Sequence, residues 1–235
     1  MTEVSLVLPA YNEAERLRDT VQQVAGTLQE ITSSFELIIA EDGSTDGTAR
    51  TAEELVKELP YVKHLHSKER LGRGRALNRA FKSSKGDIVA YIDVDLATDL
   101  KHLEELIESI REGYDLATGS RMLSDSDVKR PFTRLIASKG FNFMTRRMLK
   151  SGLKDHQCGF KAFKRESLFA ILDTVKDSHW FWDTEILVRA QRGGYRIKEF
   201  PVRWQCDRNT KVDLKRDVIG MGTQILRLWR EFRHE

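Results

Sequence analysis

The sequence predicts an α/β protein in which helices cover both faces of a mostly parallel sheet. Five short apolar runs indicate buried strands, at residues 4–8, 35–40, 61–66, 88–92 and 115–118. Segments with helical spacing of apolar residues follow the first four runs, as expected of repeated βαβ units. Polar side chains follow the first, second and fourth runs, at the sheet edge where ligands of such folds bind.

The remaining elements follow from local signals. The helix after the first strand is expected to reach about residue 30, with Asn12 as its N-cap and Glu15 in capping-box register. A helix is predicted over 99–111, and residues 155–163 are expected to form a loop that leads into a short strand. Residues 195–204 have strand-like composition around Pro201, which favours an edge position. An apolar stripe predicts a last amphipathic helix over 215–233.

The composition is that of a globular chain of 235 residues, with 40% hydrophobic and 32% charged residues. No apolar run approaches the ~20 residues that span a bilayer, and no signal peptide is recognisable. We therefore expect neither a membrane-spanning helix nor a secretion signal. Cys158 and Cys206 lack metal-binding spacing, which favours reduced thiols in the cytosol.

The charge is divided unevenly along the chain. Residues 1–125 contain 15 Lys/Arg and 23 Asp/Glu, whereas residues 126–235 contain 24 and 13. A basic second half indicates an anionic partner. Nucleic acid, a membrane surface and a phosphate-bearing substrate are all candidates on charge alone.

Asp93 and Asp95 follow the fourth strand directly. Residues two apart on an extended chain point the same way, so both carboxylates can reach one point beyond the strand. Two carboxylates together with ligand phosphates form a set that Mg²⁺ or Mn²⁺ prefers. The alternative is that one aspartate caps the next helix and the other is solvated.

Other strand ends carry similar residue types. Tyr11 and Glu13 follow the first strand, and Asp42 follows the second. Three polar ends on one edge predict a site for a nucleotide or a sugar phosphate. The loop Gly72-Arg73-Gly74 can present N–H groups and a cation to phosphate, although a plain helix start is an equal alternative.

The second half combines cations with apolar residues. Residues 129–154 contain eight Lys/Arg and no acidic residue, interleaved with phenylalanine, leucine and methionine. This pattern is typical of a helix in a membrane interface, and equally of a solvated basic face over an ordinary core. Asp183 and Glu185 form a second pair of carboxylates. His156 and His179 lack partners at metal spacing and are taken as ordinary polar residues.

Together these motifs resemble the family 2 glycosyltransferases, which have the nucleotide-sugar-binding fold called GT-A. The matching pieces, in the family's order, are residues 8–13 (LPAYNE), 41–48 (EDGSTDGT), 71–74 (LGRG), 93–95 (DVD) and 119–121 (GSR). Residues 155–161 (DHQCGFK) and 182–187 (WDTEIL) look like the dolichyl-phosphate glucosyltransferases. The dolichyl-phosphate mannose synthases are similar.

The resemblance implies a donor side and a metal site. The residues implied in nucleotide-sugar binding are Pro9, Ala10, Tyr11, Glu13, Asp42, Arg73 and Asp93. Asp93 and Asp95 match the Asp-x-Asp motif that binds Mg²⁺ or Mn²⁺. Residues 1–125 would form the nucleotide-sugar and metal-binding half of one GT-A domain.

The resemblance also implies an acceptor side in residues 126–235, the acceptor-binding and membrane-proximal half. The residues implied in acceptor-phosphate binding are Arg121, Arg134, Ser138 and Lys211. Arg134 and Ser138 are four apart, hence on one helix face. The catalytic residues would be Asp93, Asp95, Arg121 and Asp183. We expect Asp183 and Glu185 to position the sugar rather than to act as an obligatory base.

The expected activity is inverting transfer of a hexose to dolichyl or polyprenyl phosphate, with glucose from UDP-glucose favoured. GDP-mannose as donor and a non-lipid acceptor are alternatives. A nucleic-acid-binding module is disfavoured because Asp42, Asp93 and Asp95 would repel a polyanion. The expected location is the cytoplasmic face of a membrane, with peripheral attachment directly or through a separate anchoring subunit.

Overall fold

A computed structural model of the chain describes residues 2–205 and 214–233. The strands are β1 (Val4–Ala10), β2 (Phe35–Asp42), β3 (Val62–Ser67), β4 (Ile88–Ile92), β5 (Leu116–Ser120), β6 (Asp127–Lys129), β7 (Phe160–Lys164), β8 (Ile197–Pro201) and β9 (Arg203–Gln205). The helices are α1 (Ala14–Ile31), α2 (Thr48–Glu58), α3 (Arg73–Ser83), α4 (Leu103–Arg111), α5 (Phe132–Leu149), α6 (Arg165–Leu172), α7 (Trp182–Arg192) and α8 (Leu214–Glu231).

The main sheet has the strand order β3-β2-β1-β4-β7-β5-β8, and β6 pairs with β9 in a small second sheet. Its central strands are buried on both faces, which is why they are apolar throughout rather than alternating. Leu6 and Leu8 of β1 face a core that includes residues of α1, α2 and α4. Val7 faces a second core that includes residues of α3 and α7. The predicted fold class, a mostly parallel sheet covered on both faces, is confirmed.

One strand of the main sheet departs from the parallel pattern. β7 lies between β4 and β5 and runs antiparallel to both, with Ala162 opposite Ala90 and Ala117. The sequence predicts a short strand here but not its position in the sheet. Gly159 precedes β7, and its carbonyl oxygen accepts the Asp93 N–H at 3.0 Å. β7 therefore brings the second half of the chain to the end of β4.

The two long helices of the second half pack together. Leu149 of α5 and both Ile225 and Leu228 of α8 share a small buried cluster with Phe181. The predicted last helix is confirmed, and β8 occupies the predicted edge position. α6 was not predicted. Among the helices in the described ranges, α5 and α8 included, none has the length and apolar character that crossing a membrane requires.

Glu185 ties α7 to α8 from a fully buried position. Its Oε1 accepts from Arg189 at 2.7 Å, and its Oε2 accepts from Arg227 at 2.6 Å and from the Asp177 N–H at 3.0 Å. Residues two apart on a helix do not face each other, so Glu185 and Asp183 diverge. The expectation that Glu185 positions the sugar is therefore wrong, because both of its oxygens hold the fold together.

Glu185→Gln should lower the free energy of unfolding by on the order of 3 kcal/mol, because it removes the buried carboxylate that pairs with Arg189 and Arg227. The two arginines then keep only the partly exposed Glu231 as an anion among the described residues. Urea denaturation followed by circular dichroism measures the loss. The matched control is Glu166→Gln, whose carboxylate pairs with Lys164 at the surface. We expect a much smaller change in the control, and equal losses in the two variants would contradict the role of Glu185.

Candidate active site

The carboxylates of Asp93 and Asp95 lie just beyond β4, at the carboxyl edge of the parallel strands. Val94 between them is buried, whereas the Asp93 side chain is 35% exposed and Asp95 is exposed. Asp95 Oδ1 accepts the Ala97 N–H at 3.0 Å, which orients its carboxylate. Two accessible carboxylates two residues apart form a donor set that fits Mg²⁺ or Mn²⁺.

Asp93 already binds a cation of the protein itself. Arg73, at the start of α3, places Nη2 2.6 Å from Asp93 Oδ1 and Nε 3.5 Å from Asp183 Oδ2. Burial lowers the pKa of Arg73, but the two carboxylates outweigh burial and raise it above its ordinary value. The guanidinium also lies near the rings of Tyr91 and Trp180. Arg73 thus bridges the expected metal site and Asp183.

Asp183 lies beneath Arg73 and is nearly completely buried. Its Oδ1 accepts from Lys161 Nζ at 2.9 Å and from the hydroxyl of Tyr91. Burial raises the pKa of Asp183 to about 6, and burial lowers the pKa of Lys161 to about 8. Asp183 is therefore a buried anchor for two cations, and its expected contact with the sugar stays a prediction.

Gly159 is the neighbour that leaves room for Asp93. A Cβ built on Gly159 would overlap the Asp93 carboxylate group. The reason is the close approach of β7 to the end of β4, where the two backbones are hydrogen-bonded. Only glycine allows this approach without displacing Asp93.

Asp42, expected at the nucleotide, holds the glycine loop in place. Its Oδ2 accepts the N–H groups of Leu71 and Gly72 at 2.7 and 2.8 Å. Gly72 has a φ of +91°, a conformation that side chains rarely adopt. On the same side, the Arg70 guanidinium stacks 3.2 Å from the centre of the Tyr11 ring. Asp42, Tyr11 and Arg70 therefore line one region beside the ends of β1 and β2.

The loops after β1 and β2 are tied together by reciprocal hydrogen bonds. Asn12 Oδ1 accepts the Thr45 N–H at 2.8 Å, and the Asn12 N–H donates to Ser44 Oγ at 3.1 Å. Thr48 Oγ1 accepts the Glu13 N–H at 2.8 Å, just before α1. The predicted capping by Asn12 is wrong, because Glu13 occupies the N-cap position and the Asn12 side chain accepts from the neighbouring loop instead. Pro9 and Ala10 end β1 beside this junction.

Arg121 is held by a buried carboxylate on the other side of Asp93. Its Nε and Nη2 donate to Asp155 at 2.7 and 2.9 Å, and the guanidinium lies 5.5 Å from the Trp204 ring. Burial alone would raise the pKa of Asp155, but Arg121 outweighs it and holds that pKa far below its usual value. Within residues 2–205 and 214–233, Nη1 of Arg121 has no hydrogen bond, so it remains for another acceptor.

The other residues expected at the acceptor phosphate lie in the second half. Arg134 and Ser138 are both partly buried on α5, one turn apart as predicted. Lys211 lies outside the described residues. The structure therefore gives positions for three of these four residues, and their phosphate-binding role stays a prediction.

Sequence reasoning did not single out Arg70, and it assigned no individual role to Asp155, Gly159 or Lys161. These last three lie in segment 155–161, which carries part of the resemblance, but their partners Arg121, Asp93 and Asp183 are distant in the chain. His156, taken as an ordinary polar residue, is buried between Asn142 Oδ1 at 2.7 Å and Ser151 Oγ at 2.8 Å. Burial lowers its pKa to about 4, so it is neutral and structural.

Comparison with known proteins identifies the family. The family model described as glycosyl transferase family 2 matches residues 5–172, and the chain belongs to that family. Glycosyltransferase AglD of Haloferax volcanii is 54% identical over 230 residues, which are 97% of this chain and 37% of that protein. This chain thus spans well under half of AglD. Dolichyl-phosphate beta-glucosyltransferase of Dictyostelium discoideum is 34% identical, covering 96% of this chain and 73% of that protein.

Solved structures of the same fold support the architecture. Glucosyl-3-phosphoglycerate synthase from Mycobacterium tuberculosis, in complex with Mn²⁺, UDP and phosphoglyceric acid, has a TM-score of 0.69 at 20% identity, over 96% of this chain and 76% of that one. The same enzyme with Mg²⁺ and UDP has a TM-score of 0.67 at 19% identity, over 95% and 79%. At this identity the likeness concerns the fold, and it confirms the expected GT-A architecture.

Gly159→Ala should weaken Mn²⁺ binding at Asp93 and Asp95 by at least about tenfold, because the added Cβ displaces the Asp93 carboxylate from the position that a ligand needs. Mn²⁺ binding is measured by electron paramagnetic resonance, and folding by circular dichroism. Gly26→Ala in α1 is the control, since its Cβ would meet nothing within 4 Å. Unchanged Mn²⁺ affinity in a folded Gly159→Ala variant would contradict this account of the site.

Proposed function

We propose that this chain transfers glucose from UDP-glucose to dolichyl or another polyprenyl phosphate, with Mg²⁺ or Mn²⁺ bound by Asp93 and Asp95. The observation that carries the proposal is the arrangement around Asp93. The accessible carboxylates of Asp93 and Asp95 lie between Arg121 and the loops that follow β1 and β2, which we call the donor-side loops. Among the described residues, Nη1 of Arg121 makes no hydrogen bond. The dolichyl-phosphate beta-glucosyltransferases among the relatives supply the choice of donor sugar and acceptor.

In this proposal the two halves of the chain bind different substrates. Residues 1–125 hold the nucleotide sugar, through the loops that carry Tyr11 and Asp42 and through Arg73. Residues 126–235 meet the membrane and supply Arg134, Ser138 and Lys211 to the acceptor phosphate. Arg121, near the end of the first half, contacts the same phosphate. The opposite net charges of the halves suit these tasks, because one coordinates cations and the other meets anions.

The chemistry follows from the acceptor. A phosphate monoester is anionic at neutral pH, so its oxygen attacks the anomeric carbon without a general base. The new bond joins that oxygen to the carbon as the bond to the nucleoside diphosphate breaks, and UDP leaves with the electron pair. When bound, Mg²⁺ or Mn²⁺ offsets the charge on this leaving group. Attack from the opposite side inverts the centre, so the lipid-phosphate sugar is β-linked.

Arg73 and Asp183 position the reactants. Arg73 pairs with Asp93, and its guanidinium would hold the donor diphosphate beside the ion that Asp93 and Asp95 would bind. Asp183 is a poor candidate for a base, because it is buried and accepts from both Lys161 and Tyr91. It acts instead by orienting Arg73 beside the sugar.

The location in this proposal is the cytoplasmic face of a membrane, with peripheral attachment through α5. Four large apolar side chains of α5 are exposed, by between 42% and 73%, namely Phe132, Ile136, Phe143 and Met144. Lys139 and Arg147, also exposed, lie among them and suit anionic headgroups. Apolar insertion combined with basic residues is how interfacial helices bind lipid. A separate anchoring subunit remains an alternative mode of attachment.

The activity is tested with UDP-glucose, GDP-mannose and other nucleotide sugars, each with polyprenyl phosphate, detergent and Mn²⁺. We expect a glucosyl lipid from UDP-glucose, and its loss in Asp95→Ala, because one metal carboxylate is gone. Asp125→Ala, which removes an exposed carboxylate from a surface loop, should keep full activity. Product from GDP-mannose alone would favour the mannose-synthase alternative. The proposal fails if no donor gives a lipid product.

Replacing Phe132 and Phe143 together by serine should lower binding to vesicles of phosphatidylcholine and phosphatidylglycerol by at least about tenfold. The reason is that each buried phenylalanine contributes roughly 1.5–3 kcal/mol. Vesicle flotation measures the bound fraction. Val56→Ser is the matched control, since Val56 is exposed on α2, in the acidic half of the chain. Equal flotation of the double variant and the control would exclude α5 as the attachment surface.

A further inference from the structure

The ends of β2 and β3 hold a second group of metal-type ligands, distinct from Asp93 and Asp95. Glu41 pairs in register with His66 of the neighbouring strand, and His64 lies two residues earlier on β3. The period of two places both imidazoles on the Glu41 side of the sheet. One ligand atom from each of the three residues lies within 4.8 Å of the others.

His64 carries a polar atom that the protein leaves unsatisfied. Its side chain is 8% exposed, and its Nε2 is buried with no hydrogen-bond partner among the described residues. Nε2 faces Glu41 Oε2 at 3.6 Å, which is too long for a hydrogen bond if Nε2 carries a proton. If Nε2 is unprotonated, its lone pair faces a carboxylate oxygen. A cation between the two atoms would satisfy both.

Glu41 and His66 place ligand atoms beside the same position as His64 Nε2. Glu41 Oε1 accepts the Ser44 N–H at 2.8 Å, which fixes the carboxylate and leaves Oε2 toward the histidines. Oε2 contacts His66 Nδ1 at 2.5 Å, in a side chain that is 44% exposed. Tetrahedral zinc needs ligand atoms roughly 3.3 Å apart, so the His66 ring would move outward by about 0.8 Å. Its exposure gives both the space and an entry path.

We propose that Glu41, His64 and His66 bind a zinc ion, with the fourth position open to water. Two imidazoles and one carboxylate form a donor set that favours zinc over the oxygen-preferring Mg²⁺. The ion would join the ends of β2 and β3 to the loop that begins at Ser44. That loop is hydrogen-bonded to Asn12 after β1, so the ion would brace the donor-side loops without touching the reacting atoms.

Zinc binding is measured by isothermal titration of the chelator-treated full chain with ZnCl₂, without Mg²⁺ or Mn²⁺. We expect one zinc per chain and a higher melting temperature with zinc. His64→Asn and His66→Asn should each weaken binding by more than the roughly 100-fold that marks loss of an outer-shell partner. His66 is half exposed, so its variant tests the site even if His64→Asn fails to fold.

Two controls separate this site from the others. His179→Asn removes an exposed histidine and should leave zinc affinity unchanged, whereas Asp95→Ala should keep zinc binding while losing Mn²⁺ binding. X-ray absorption at the zinc edge should show two imidazole ligands. Unchanged zinc affinity in folded His66→Asn, or the absence of a one-to-one site in the parent chain, would overturn the proposal. Because EDTA removes both metals, loss of activity in EDTA alone distinguishes neither site.

Discussion

Three cations lie around the ends of β4 and β7, and each is compensated by a carboxylate. Lys161 is fully buried, and Arg73 and Arg121 are largely buried. Arg73 pairs with Asp93 and Asp183, Lys161 also pairs with Asp183, and Arg121 pairs with Asp155. A buried charge without a partner is strongly destabilising, and breaking one such pair costs about 3–5 kcal/mol. The geometry of the site therefore depends on every pair being complete.

This compensation shapes how the site can change when a ligand binds. Asp93 is not a bare carboxylate, because Arg73 pairs with it. A divalent ion at Asp93 would replace one cation by another, and the released guanidinium would need a new anion. In the proposed function, a diphosphate beside Arg73 would supply that anion. Under the same proposal, the pairing of Arg73 with Asp93 would thus couple the metal site to the donor site.

Much of the fold could be predicted from the sequence, since local patterns control it. The apolar runs of β1, β2 and β4 and the stripes of α1 and α8 depend on residues close together in the chain. The position of β7 could not be predicted in this way. Its antiparallel place between β4 and β5 depends on the pairing of Ala162 with Ala90 and with Ala117, which are 72 and 45 residues earlier in the chain, and no local pattern specifies such pairing. α6 was missed because its eight residues lack capping signals.

By itself the sequence determined that two aspartates, Asp93 and Asp95, follow the buried strand β4. It did not determine their geometry: the expected extended chain is replaced by a turn, in which the Leu96 N–H donates to the Asp93 carbonyl oxygen at 3.1 Å. The sequence also determined the division between an acidic and a basic half. Only the tertiary structure decided the partners of those groups. Asn12 was predicted to cap a helix, but it links two loops. Glu185 was predicted to position the sugar, but it links two helices. The roles of Gly159 and Lys161 depend on the position of β7. Long-range pairing of buried polar groups, which must be satisfied wherever the fold brings them together, decided each of these cases.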